Sequence, residues 1–291
     1  MAQSTQRSQQ RPHPKLGQNF LVSSTAQAAI VDALGDLSQR TVVEIGPGRG
    51  AITALLAGRA RRLIAIELDR TMAAQLREQF GERPSVTIVE QDVLQTDFAA
   101  LAGGLETQAD SGPGQHAPRD PASAGLFVVG NLPYYITSDI LLHLFAAHRV
   151  IERAVIMIQR EVATRVAAHA GSSDYGLLSA TTQLYARAEN LFTLPPSAFS
   201  PPPQVHSTVL RLTMAPRFNE LQVAPEAFIA FLRAGFAQKR KMLAKNLRNA
   251  GYAPEKIAAA LARCTIPAQS RAEELDLATM AGLFRQLRGP A

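Results

Sequence analysis

Val42-Val43-Glu44-Ile45-Gly46-Pro47-Gly48-Arg49-Gly50 reads as a buried strand that breaks into a glycine loop and then enters a helix. Glycines at such a junction let the backbone bend tightly and approach a ligand. The spacing is G-x-G-x-G rather than the dinucleotide-binding G-x-G-x-x-G, although Ala51 leaves a loose dinucleotide reading open. Apolar runs alternate with amphipathic segments on the C-terminal side of this stretch. Strands are expected at 42–45, 63–67, 86–89, 126–129, 154–158 and 207–212. Helices are expected at 26–34 (capped by Ser23-Ser24-Thr25), 52–60, 72–80, 138–147 and from 161 onward. Continuous apolar strands between helices predict a parallel sheet covered on both faces, an α/β fold. Ligands of open α/β sheets bind at the carboxyl edge, where the glycine loop falls.

Three more strand ends put polar groups on that edge. Glu67 ends the second strand, 21 residues after Gly46, where a carboxylate can accept from both ribose hydroxyls. Asp92 ends the third, where a carboxylate can accept from an adenine amino group. Asn131 ends the fourth and opens Asn131-Leu132-Pro133-Tyr134. Each carboxylate taken singly fits a helix cap or a solvated surface residue. Four strand ends in order along one edge, Gly46, Glu67, Asp92 and Asn131, do not. The acidic strand ends fit S-adenosylmethionine better than a nicotinamide dinucleotide, because the methionine portion has no pyrophosphate needing the third glycine spacing.

The Asn-Leu-Pro-Tyr corner offers an amide that donates and accepts, a proline without an N–H, and a flat aromatic face. That combination suits a planar substrate bearing an amino group. By itself the corner fits a strand-to-turn junction equally well.

The chain has 291 residues, enough for one large and one smaller domain, with 46% hydrophobic and 19% charged residues. Residues 1–14 read as a flexible basic arm, and 102–125, rich in Gly, Pro, Ala and Ser, as a disordered insertion. The α/β pattern runs over 15–215. From 216 to 291 only helices are expected, at 228–250, 254–264 and 275–287. Net charge is +6, and all of it sits in that C-terminal part, which holds 12 Lys/Arg against 6 Asp/Glu. Its centre is Lys239-Arg240-Lys241, with Lys245 and Arg248. Such clustering is the footprint of a polyanion partner, though a basic run by itself also fits a solvated helix face.

Cys264 is the sole cysteine and the six histidines lack ligand spacing, so no metal site is expected. No apolar run has the length of a membrane span and the N-terminus lacks a signal-peptide core, so a cytoplasmic location is expected, with no membrane partner.

These residues together resemble the ribosomal RNA adenine dimethyltransferases, in particular those of the bacterial small-subunit (16S) type. The resemblance runs from Lys15 to about the C-terminus, outside 102–125. It rests on Leu16-Gly17-Gln18-Asn19-Phe20-Leu21, Glu44–Gly50, Ile66–Asp69, Gln91-Asp92, Asn131–Tyr135, Pro195–Pro203 and Phe236–Lys241. Leu16 stands where the family usually carries Phe.

The resemblance implies a Rossmann-like class I S-adenosylmethionine-dependent methyltransferase domain with a small C-terminal α-helical RNA-binding domain. It implies that Asn19, Leu21, Gly46, Glu67, Asp92 and Asn131 bind the cofactor. Asn131 with a carbonyl of Leu132 or Pro133 would hold the target N6, and Tyr134 and Phe199 would stack on the base. Lys239, Arg240, Lys241, Lys245 and Arg248 would bind phosphates. The implied product is N6,N6-dimethyladenine at two adjacent adenosines near the 3′ end of 16S rRNA within the small ribosomal subunit. A monomer with an added part in subunit biogenesis is expected. The competing readings are a 23S rRNA adenine methyltransferase of the macrolide-resistance type and a non-catalytic ribosome-assembly factor. DNA adenine and protein glutamine amide are the other possible amine targets.

Overall fold

A computed structural model describes residues 19–103 and 125–288. The expected arm (1–14), the motif residues Leu16 to Gln18, and 104–124 of the expected insertion lie outside the described residues. The strands are β1 (Phe20–Leu21), β2 (Thr41–Ile45), β3 (Arg62–Glu67), β4 (Val86–Glu90), β5 (Leu126–Asn131), β6 (Ile151–Gln159), β7 (Ala186–Leu194), β8 (Phe199–Ser200) and β9 (Ser207–Met214). Seven of them form one sheet in the order β4-β3-β2-β5-β6-β9-β7.

Helices α1 (Ser24–Leu34), α2 (Ala51–Leu56), α3 (Arg70–Phe80), α4 (Phe98–Gly103), α5 (Thr137–Ala146), α6 (Arg160–Val166) and α7 (Leu177–Tyr185) pack around the sheet. All five residues of β2 are buried, as expected of a central strand covered on both faces. Asp69 starts α3 by accepting from the N–H groups of Thr71 and Met72, and Ser23 starts α1 by accepting from Ala26 N–H.

The sheet is mixed, not parallel throughout. β4, β3, β2, β5 and β6 run parallel, but β9 pairs antiparallel with both β6 and β7. β7 was not expected at all. It is an edge strand of mixed polarity, with Arg187, Glu189 and Asn190 facing water, so it lacks a continuous apolar run. The pattern also missed α7, whose Ser and Thr residues are buried.

A second, two-stranded ribbon joins distant parts of the chain. Phe20 pairs with Ser200, and Leu21 with Phe199. Ala102 and Gly103, expected to begin the disordered insertion, belong to α4, with Ala102 buried.

The C-terminal part holds α8 (Phe218–Leu221), α9 (Pro225–Gly235), α10 (Leu243–Asn249), α11 (Pro254–Arg263) and α12 (Leu277–Arg288). The helix expected over 228–250 is broken at 236–242, where Arg240 has a φ of 69°. The change from strands to helices near 216 does not interrupt the core. One apolar cluster runs from Val43 and Leu144 through Tyr185 to Phe228, Leu232 and Met280. No helix of the described residues is long and apolar enough to cross a membrane.

Candidate active site

The carboxyl ends of β2, β3, β4 and β5 open on a cavity of about 560 Å³. This is large enough for a nucleoside-sized ligand. Gly46, Glu67, Asp92 and Asn131 all line it, and so do Asn19 and Leu21. The four strand ends and the N-terminal segment therefore meet at one site.

Local backbone geometry explains the glycines. Gly48 has a φ of 56°, and a Cβ there would lie 3.0 Å from the Phe20 ring. Its absence lets Phe20 lie against the loop, where the Arg49 guanidinium sits 4.4 Å from the ring centroid. At Gly130 a Cβ would lie 2.8 Å from the Ile45 carbonyl oxygen. Glycine thus permits the close approach of β5 to β2 one residue before Asn131.

Glu67 is 3% exposed and both its oxygens are engaged. Oε2 accepts from Gly48 N–H at 3.0 Å and Oε1 from Asp69 N–H at 2.9 Å. Each carboxylate oxygen can accept more than once, so capacity remains for a pair of hydroxyls. Asp92 accepts from Leu94 N–H through Oδ1 at 2.9 Å. Its Oδ2 has no partner among the described residues and is available to an amino group.

Glu44 went unassigned in the sequence, yet it lines the cavity. It is 2% exposed, and its Oε2 accepts from Thr53 Oγ1 at 2.7 Å. Burial pushes its carboxyl up to about 7; the Thr53 hydrogen bond opposes this and nearby Glu67 adds to it. The signal for it was present: a carboxylate inside an otherwise apolar strand. Phe20 and Arg49, which also line the cavity, were missed because their contact depends on the ribbon.

At the Asn131–Tyr134 corner, Asn131 Nδ2 donates to the backbone carbonyl of Asn19 at 2.9 Å. That bond leaves Oδ1 as the free acceptor of the amide. The Pro133 carbonyl accepts from Thr137 Oγ1 at 3.0 Å and from Ile136 N–H at 3.3 Å. The Leu132 carbonyl has no partner among the described residues, while Leu132 N–H donates to Met157 O at 3.0 Å. The corner therefore presents two open acceptors, Asn131 Oδ1 and Leu132 O. Tyr134 is half-buried, its hydroxyl 2.8 Å from Ser207 Oγ.

Phe199, expected to stack on the base, does not line the cavity. It is 3% exposed and packs in the cluster that contains Leu21, Ala198 and Met157. It pairs with Leu21 in the ribbon and is buried with it in that cluster.

Lys239, Arg240 and Lys241 lie in the turn between α9 and α10, all exposed, while Lys245 and Arg248 lie on α10. None of the five forms an ion pair among the described residues. Lys239 Nζ donates to Ser173 O at 2.8 Å, and Arg240 N–H to Glu273 Oε1 at 3.1 Å. Buried Asn246 holds the turn: its Nδ2 donates to Gly235 O at 2.7 Å and Gln238 O at 3.1 Å.

The family model described as ribosomal RNA adenine dimethylase matches residues 9–288. The chain is similar to "Ribosomal RNA small subunit methyltransferase A" of Acidobacterium capsulatum, 59% identical over 94% of this chain and 90% of that one. The protein of the same name from Koribacter versatilis is 51% identical over 94% of each chain. Among solved structures, a dimethyladenosine transferase from Plasmodium falciparum shares the fold with a TM-score of 0.72 at 22% identity, covering 91% of this chain and 95% of that one. The 23S rRNA methyltransferase ErmE does so with a TM-score of 0.65 at 24% identity, covering 93% and 100%. The fold is that of the class I S-adenosylmethionine-dependent methyltransferases, and the chain belongs to the ribosomal RNA adenine dimethylase family.

Proposed function

We propose that the enzyme dimethylates N6 of two adjacent adenosines near the 3′ end of 16S rRNA in the small ribosomal subunit. It works as a cytoplasmic monomer with an added part in subunit biogenesis. The names carried by its relatives support the small-subunit assignment. The observation that carries the chemistry is the pair of open acceptors, Asn131 Oδ1 and Leu132 O, at the cavity wall.

Adenine N6 is a weak nucleophile because its lone pair is delocalised into the ring. Two acceptors taking its hydrogens favour a pyramidal nitrogen with the lone pair directed outward. This is orientation plus electrostatics that strengthen in the transition state. S-adenosylmethionine, when bound, supplies an electrophilic methyl group. The N6 lone pair would take that methyl as its bond to the sulfonium sulfur breaks, leaving a neutral thioether; the N6 proton would then pass to solvent, and a second round with fresh cofactor would give the dimethylated base. Tyr134 offers one face to the adenine, which must leave its stack to enter. Glu67 would accept from the ribose hydroxyls of the cofactor and Asp92 from its adenine amino group, with Asn19, Leu21 and Gly46 completing the wall. Lys239, Arg240, Lys241, Lys245 and Arg248 bind RNA phosphates.

The test is incubation with labelled cofactor and purified small or large subunits lacking the modification, followed by mapping of the labelled bases. Label on two adjacent adenosines of the small subunit is expected. Label on the large subunit alone overturns the proposal.

A further inference from the structure

Resting on that reading of the substrate, we infer that Tyr135 is the stacking platform for the nucleotide beside the target adenine. Tyr135 is 67% exposed and lines the cavity. Seven large apolar or aromatic side chains are exposed among the described residues, and three of them, Val22, Leu68 and Tyr135, line this one cavity. Single exposed apolar groups need no explanation, but a cluster at one cavity mouth marks a surface that meets a partner. Tyr135 is its only exposed ring.

The ring is presented from a fixed backbone. Tyr134–Ile136 form one 3-10 turn, closed by the two bonds that Pro133 O accepts from Ile136 N–H and Thr137 Oγ1. Little ordering of the main chain is then needed when a ligand arrives. The two consecutive tyrosines are in different surroundings. Tyr134 is half-buried and tied to Ser207, while Tyr135 stands open on the rim. A ring so open cannot enclose a base inside the cavity. It can receive one laid across the mouth.

The occupant follows from the covalent continuity of RNA. An adenine inside the cavity leaves its ribose at the mouth, and the next base is one phosphodiester away. Extrusion has also broken the stack between those two bases. A protein ring at the rim replaces the lost stacking partner, and base–aromatic stacking works with any base because each has a π-face. With two adjacent target adenosines, the base on Tyr135 while one is being methylated is the other.

The variants Tyr135→Leu, Tyr135→Phe and wild type are compared on unmethylated small subunits. Tyr135→Leu keeps apolar bulk but removes the ring, and its KM for subunits should rise about ten-fold. The effect falls on KM rather than kcat, cofactor affinity is unchanged, and Tyr135→Phe restores wild-type values. A short RNA of the mapped target sequence, carrying 2-aminopurine beside the modified adenosine, should lose fluorescence with wild type and Tyr135→Phe but not with Tyr135→Leu. A wild-type KM or full quenching in Tyr135→Leu overturns the inference, as does equal loss in both variants. A wild-type protein that labels only the large subunit overturns the proposed function instead, and the fluorescence, read on a short RNA of the sequence mapped there, still decides whether Tyr135 stacks on RNA.

Discussion

The carboxyl edge of the sheet and the basic turn at 236–242 are held in opposite ways. At the edge, functional groups stand at the ends of parallel strands and are fixed by the main chain: Glu67 by two N–H groups, Asp92 by one, Asn131 by the Asn19 carbonyl. At the turn, three cations are exposed and the main chain has left helical geometry. One buried amide, Asn246, donates to the carbonyl of Gly235 at the end of α9 and to that of Gln238 within the turn. The difference fits the role proposed for each region. Methyl transfer needs atoms aligned within fractions of an ångström, which buried strands provide. Phosphate binding needs positive charge near a polyanion and tolerates mobile side chains.

The comparison is broken most severely at Asn131. Asn131→Ala should lower kcat by about 100- to 1000-fold while leaving RNA affinity near wild type. A variant with near-normal turnover would remove Asn131 from the chemistry.

The next largest effect tests how buried the edge is. Glu44 binds its proton more tightly in the folded chain, at about 7, than at its ordinary value of 4.5. The native state thus holds more protons than the unfolded state between those values. Stability of the cofactor-free protein should therefore fall as pH rises through that window, by about 3 kcal/mol in all, and level off above it. Chemical unfolding at pH 5 and pH 8 measures this, and Glu44→Gln should flatten the difference. An equal slope in both proteins would mean that Glu44 is hydrated.

For the turn, replacing Lys239, Arg240 and Lys241 together by Ala should reduce the log–log salt slope of RNA binding by about 2 to 3 units, at unchanged cofactor affinity. An unchanged slope would show that phosphates are held elsewhere. The smallest effect is expected at Arg49. Arg49→Ala removes the cation over Phe20 and should weaken cofactor binding by about two- to five-fold, measured by calorimetry.

Much of the edge was legible in the sequence, because a strand end followed by a polar residue is a local pattern. Ser23 likewise announced a helix start. Other features were not local. β7 escaped because an edge strand facing water carries no apolar run. The continuous helix expected over 228–250 failed because its apolar period runs through residues 236–242, while Arg240 N–H bonds to Glu273, 33 residues away. Glu44 was visible as a residue, but its raised pKa depends on the burial created by packing around β2.

The sequence by itself determined the succession of β2, β3, β4 and β5 and which residues end those strands, and hence the row Gly46, Glu67, Asp92, Asn131. Those follow from periodicity and from glycine and proline at the junctions, which act over a few residues. Only the tertiary structure decided how that row is completed. Pairing of Phe20-Leu21 with Phe199-Ser200 brings Asn19 to Asn131, buries the ring expected to stack, and leaves Tyr135 open at the mouth. Register between segments about 180 residues apart is set by the shape of the packed core, and no local propensity encodes it.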